Sequence, residues 1–92
     1  MEANETKWLG EVEARLGDGD GPAVDDRVMR LLLRITKVTA DATGVRYLAP
    51  LTAYLVGLAA GRAEVRGDPI DLRAVADQVD RLAKDWQAQP GG

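Results

Sequence analysis

The sequence predicts an all-α domain: a four-helix antiparallel bundle with a central apolar third helix. Three observations lead there. Residues 47–61 run for fifteen positions without a charge, in a chain that is 29% charged overall. Apolar residues recur at helical steps of three and four in the segments on either side. Glycine, proline and aspartate punctuate the chain between these segments, and short connections favour antiparallel neighbours.

The uncharged run sets the expected architecture, because so long an apolar stretch requires cover. Pro50 suits a first helical turn, where its missing N–H costs nothing. On a helical wheel Leu51, Tyr54, Leu55 and Leu58 share one face, and Ala53, Gly57, Ala60 and Gly61 take much of the other. A helix apolar all round belongs in the interior. The reading therefore buries Leu51, Leu55 and Leu58, together with Val75, Val79 and Leu82 of the last helix. A buried Tyr54 hydroxyl would need a hydrogen-bond partner. Glycine in mid-helix costs about 1 kcal/mol relative to alanine, so the row Ala53, Gly57 and Gly61 is expected to admit a neighbouring backbone. Residues 62–67 are read as a connection.

The other elements follow in order. A first helix is capped by Asn4 or Thr6 and runs to Leu16, with Trp8, Leu9, Val12 and Leu16 as its stripe. Gly17-Asp18-Gly19-Asp20-Gly21-Pro22 ends it. Asp18 and Asp20 resemble the start of a calcium loop, but Pro22 stands where a third ligand belongs and no glutamate follows at the required distance. The segment is read as a plain loop. The second helix spans 23–43, with Asp25 and Asp26 near its positive end. Its core face is Val24, Val28, Leu31, Leu32, Ile35, Val38, Thr39 and Ala42, and Gly44 fits its C′ position.

A second stripe on that helix, Met29, Leu33, Thr36 and Ala40, is the candidate partner-binding surface. Between the stripes Arg27, Arg30, Arg34 and Lys37 form a charged row, read as a solvated rim. The last helix opens at Asp68-Pro69-Ile70-Asp71, with Asp68 as N-cap. Leu72, Val75, Ala76, Val79, Leu82, Ala83 and Trp86 follow at steps of three and four. Its other face offers i,i+4 pairs: Arg73 with Asp77, Asp77 with Arg81, Asp80 with Lys84, Arg81 with Asp85. One domain, 1–92, is expected, ordered over about 6–86, with 87–92 a flexible tail.

Composition excludes most chemistry. The 92 residues hold no Cys, His or Ser, so disulfides, the common zinc and iron sites, and serine or cysteine nucleophiles are all missing. No phosphate-loop, dinucleotide or nucleophile-elbow motif occurs. The expectation is a non-enzyme with no catalytic residues, no metal and no cofactor. The net charge of −3 argues against nucleic acid. No run reaches the ~20 apolar residues of a membrane span, and no signal peptide is recognised; a cytoplasmic protein is expected. The charge is uneven: residues 1–26 have eight acids and two bases, residues 27–67 seven bases and two acids, residues 68–92 five acids and three bases. In an antiparallel bundle Arg62 and Arg66 would approach Arg27, a weak candidate site for an anionic cofactor or nucleotide.

Trp8-Leu9 opening a helix, Ala49-Pro50-Leu51-Thr52-Ala53-Tyr54-Leu55-Val56-Gly57-Leu58-Ala59-Ala60-Gly61-Arg62, and Asp71-Leu72-Arg73 with a terminal Trp86 give the chain a resemblance from Lys7 to Trp86. It looks like a small uncharacterised helical family of actinobacteria, found alone or fused to the C-terminus of a molybdenum-cofactor guanylyltransferase. The resemblance supplies no catalytic residue. It implies an accessory or protein-interaction domain linked to molybdenum-cofactor maturation or to a molybdenum enzyme, whose partner is a molybdenum-cofactor protein or a second copy. A small carrier of an anionic cofactor and a ligand-free structural homodimer are the alternatives.

Overall fold

The computed structural model describes residues 2–16 and 24–88. Four helices account for most of them: α1 (Ala3–Leu16), α2 (Asp26–Thr43), α3 (Leu48–Val65) and α4 (Leu72–Ala88). No strand occurs among the described residues, so the all-α class holds. The Asp18–Asp20 loop and residues 89–92 of the expected tail lie outside the described residues. Gln87 and Ala88, expected in that tail, are helical.

The chain divides into two compact units, one ending at Arg30 and one beginning at Leu31. The first holds α1 and the opening turn of α2. Glu2, not Asn4 or Thr6, precedes α1. Its carbonyl accepts the Thr6 amide at 3.0 Å, and its own amide donates to the Glu5 carboxylate at 3.4 Å, the backward half of a capping box. Leu9 and Val12 are half-buried, while Trp8 and Leu16 are exposed. Asp25 caps α2: its carboxylate accepts the Val28 amide at 2.8 Å.

The second unit packs the rest of α2 against α3 and α4. Ile35, Val56 and Ala76 are its buried centre, one from each helix, with Leu31, Leu32, Leu72, Val75 and Val79 packed around them. Thr39 and Thr43 of α2, Leu48 and Thr52 of α3, and Leu82 and Trp86 of α4 meet around one open cavity. The end of α2, the start of α3 and the end of α4 therefore lie together. Within this unit α3 runs opposite to α2 and to α4, and α2 runs parallel to α4. Buried Thr39 satisfies its hydroxyl by donating to the Ile35 carbonyl at 2.8 Å.

The helix ends show which punctuation acted. Gly44 stops α2 with φ +70, its amide bonded to the Ala40 carbonyl at 2.9 Å. This is the αL stop read from the sequence. Gly61 does not stop α3. The helix continues to Val65, because Arg62 and Ala63 are good helix formers and Ala63 is fully buried. Gly67, at φ +76, is the stop. The Gly67 amide reaches the Glu64 carbonyl at 2.9 Å and the Asp68 amide reaches the Ala63 carbonyl at 2.9 Å, which is a Schellman closure. α4 begins at Leu72, so Asp68 stands three residues ahead of the N-cap position. Asp71 caps instead, its carboxylate accepting the Arg73 amide at 3.0 Å.

The burial pattern of α3 differs most from expectation. Its buried residues are Val56 and Ala63. Leu51 and Leu55 are exposed, Leu58 is half-buried, and in α4 Leu82 is exposed while Val75 and Val79 are half-buried. The reason is steric: small side chains let three helices approach closely, and the large ones are left outside. Tyr54, exposed, needs no internal hydrogen-bond partner. Ile35→Ala should therefore cost about 2–5 kcal/mol, because it empties the one large side chain that is fully buried among the described residues. Leu55→Ala should cost about 0.5 kcal/mol or less in the dilute chain. Urea melts of both variants at low protein concentration check the contrast, and an equal loss would refute the assignment of the core.

Candidate functional site

The outer face of α3 is the most unusual surface of the second unit. Tyr47, Leu51, Tyr54, Leu58, Gly61 and Val65 follow one another at steps of four, three, four, three and four. This is the 3.5-residue spacing of a coiled-coil seam. Tyr47 precedes the helix but keeps helical backbone angles, φ −70 and ψ −13. Tyr47 is 69% exposed, Leu51 53%, Tyr54 66% and Val65 90%; Leu55, on the flank of the seam, is 62% exposed. So many large apolar side chains exposed along one helix face make it a candidate recognition surface.

The glycines belong to the same face. A Cβ placed on Gly57 or Gly61 meets no atom within 4 Å. The backbone neighbour expected against Ala53, Gly57 and Gly61 is thus not supplied within the described residues. Gly57 and Gly61 instead floor an open depression bordered by Leu58, Val65, Arg62 and Arg66. Two mid-helix glycines each sacrifice about 1 kcal/mol of helix propensity and leave α3 flat on its outer side.

At one end of the unit the cavity beside Trp86 holds about 240 Å³. Its lining is apolar apart from threonine hydroxyls, and those of Thr39 and Thr43 donate to the Ile35 and Thr39 carbonyls. It offers no acid, base or nucleophile. Among the described residues no group of three carboxylates could hold a metal ion. Among the described residues no helix is long and apolar enough to cross a membrane.

The residues singled out on α2 have varied surroundings. Met29, in the N-terminal unit, is half-buried. Leu33 is 59% exposed. Thr36 is half-buried and donates its hydroxyl to the Leu33 carbonyl at 3.0 Å, and Ala40 is half-buried. The charged row is not a uniform solvated rim. Arg34 donates to Asp77 at 2.8 Å and also to Asp80, both on α4. These hydrogen bonds, Asp80 first and Asp77 next, raise the Arg34 pKa above its ordinary value. Lys37 pairs with Asp41 at 3.1 Å. Asp77 and Asp80 therefore clamp α2 to α4, in place of the expected pairs with Arg73, Arg81 and Lys84. Arg62 and Arg66 are exposed, one turn apart, beside the glycine depression. Arg27 stands in the N-terminal unit, on the first turn of α2.

Sequence reasoning missed the outer face because hydrophobicity alone is nearly even around α3. The signal was size: Tyr and Leu recur on one side, Ala, Thr and Val on the other.

The described residues thus form an all-α fold with an exposed apolar face on α3. The chain belongs to the family described as a domain of unknown function (DUF6457), which it matches over residues 2–91. No curated protein and no solved structure matches it.

The Arg34 cluster yields a direct test. Arg34→Gln leaves Asp77 and Asp80 one turn apart with no shared cation, so the melting temperature should fall. The loss should shrink in molar salt, which screens the remaining repulsion. Lys37→Gln, which breaks only a more exposed pair within α2, should cost less. Thermal melts at low and high salt check both, and equal losses would contradict the interhelical role.

Proposed function

We propose that this chain is a non-catalytic protein-interaction domain that binds through the outer face of α3, with exposed Leu33 on α2 as a secondary contact. One observation carries the reading: the large side chains of the least charged helix point away from the core. Tyrosine and leucine presented at seam spacing on a rigid helix are suited to packing against another helix. The absence of histidine, cysteine and serine from the sequence supports a binding role over a catalytic one.

The resemblance to relatives fused to a molybdenum-cofactor guanylyltransferase supplies the proposed setting. Domains fused in one protein often act as separate partners in another. The chain is accordingly proposed as a cytoplasmic accessory domain of molybdenum-cofactor maturation or of a molybdenum enzyme. The anionic-carrier alternative is weaker, since Arg62 and Arg66 lie on an open flank and not in an enclosed pocket.

The test is affinity capture with tagged wild type, Tyr54→Glu and Leu33→Asp from cells of the native organism. Wild type should retain its partner, a protein of molybdenum-cofactor maturation or a second copy of this chain. Tyr54→Glu should lose it, because a carboxylate buried without a partner is strongly unfavourable, and Leu33→Asp should weaken it. Circular dichroism should be unchanged in both variants. Identical bound proteins on all three folded chains would refute the reading.

A further inference from the structure

We infer that the outer face of α3 pairs with the same face of a second copy of this chain, antiparallel, about a twofold axis beside residue 56. The inference rests on the interaction reading above and names the occupant of that surface. It starts from the spacing of the seam. Positions 47, 51, 54, 58, 61 and 65 read four-three-four-three-four from either end. A face with this symmetry is complementary to itself under a twofold rotation, which is the requirement for an isologous dimer.

The residue sizes select the antiparallel register. With the axis beside residue 56, Leu51 lies opposite Gly61 of the second copy, Tyr54 opposite Leu58, and Tyr47 opposite Val65. The bulky leucine thus meets the open glycine, where a Cβ would find no atom within 4 Å. Leu55 meets Leu55 on one flank, and Gly57 meets Gly57 on the other, so the backbones can approach closely. A parallel pair would stack Gly61 on Gly61 and Tyr54 on Tyr54, leaving a void at one layer and crowding at another, which close-packed interfaces avoid.

Charge agrees with the register. The run 47–61 holds no ionised group, so no like charges oppose each other across the centre. Arg62 and Glu64 fall on the two flanks, opposite Leu48 and Pro50 of the second copy, where their heads reach water and their stems cover apolar surface. Tyr47, Leu51, Tyr54, Leu55 and Val65 are each more than half exposed, which gives this face apolar surface to bury in a reversible dimer.

The chain has no cysteine, so single thiols report the register directly. Sedimentation equilibrium of the full chain should give twice the chain mass at micromolar concentration, and folded Tyr54→Glu should return the single mass. Leu55→Cys should cross-link to itself with a short bismaleimide. Leu51→Cys should link to Gly61→Cys at least tenfold faster than to itself, because two copies of residue 51 lie about 15 Å apart along the axis. Leu51→Cys linking to itself as fast as to Gly61→Cys would overturn the antiparallel register. A single chain mass with no Leu55→Cys product would overturn the dimer. If that monomer still loses a captured protein on Tyr54→Glu, the face serves another partner and the interaction reading survives. If capture is indifferent to Tyr54→Glu, both fall.

Discussion

Ile35, Val56 and Ala76 meet where α2, α3 and α4 come closest, and two of those three side chains are no larger than valine. With Ala63, they complete the buried apolar set among the described residues. Close approach of three helices is possible only if small side chains face the junction, so α3 must turn Thr52, Val56, Ala60 and Ala63 inward. The large residues of the same helix then have one place to go. The exposed seam is a geometric consequence of how the core is built.

A core this small cannot hold the unit together by burial alone. Its margins are reinforced locally. Schellman closure at Gly67 joins the end of α3 to the approach to α4, and Asp71 satisfies the first turn of α4 two residues after Pro69. Arg34 reaches across to two carboxylates on α4. That clamp fixes the register of the parallel pair α2 and α4, which share no direct connection. It also removes Arg34 from the row that would otherwise border a binding surface on α2.

Much of this was legible in the sequence. The periodic faces of α2 and α4 and the stop at Gly44 all follow from spacing and backbone preference. Two kinds of feature were not. Where several punctuating residues compete, tertiary packing chooses: Gly61 loses to Gly67 because Ala63 is needed in the core, and Asp68 loses to Asp71 because α4 starts only at Leu72. Where apolarity is even around a helix, hydrophobicity cannot say which side is inside. For α3, side-chain volume decided it, and the rule that apolar residues go inward pointed Leu51 and Leu55 the wrong way. Of the stripe read on α2, Leu33 is exposed and Met29, Thr36 and Ala40 are half-buried, while the larger apolar face on α3 emerged only from the packing.

The central claim is that α3 faces the core with its small residues and solvent with its large ones. Single cysteines along α3, reacted one at a time with a soluble disulfide reagent at high dilution, test it most directly. The account predicts fast labelling at 51, 54, 55 and 65 and slow labelling at 56 and 63, with the folded state verified for each variant. Protection at 51 and 55 with fast labelling at 56 and 63 would contradict it.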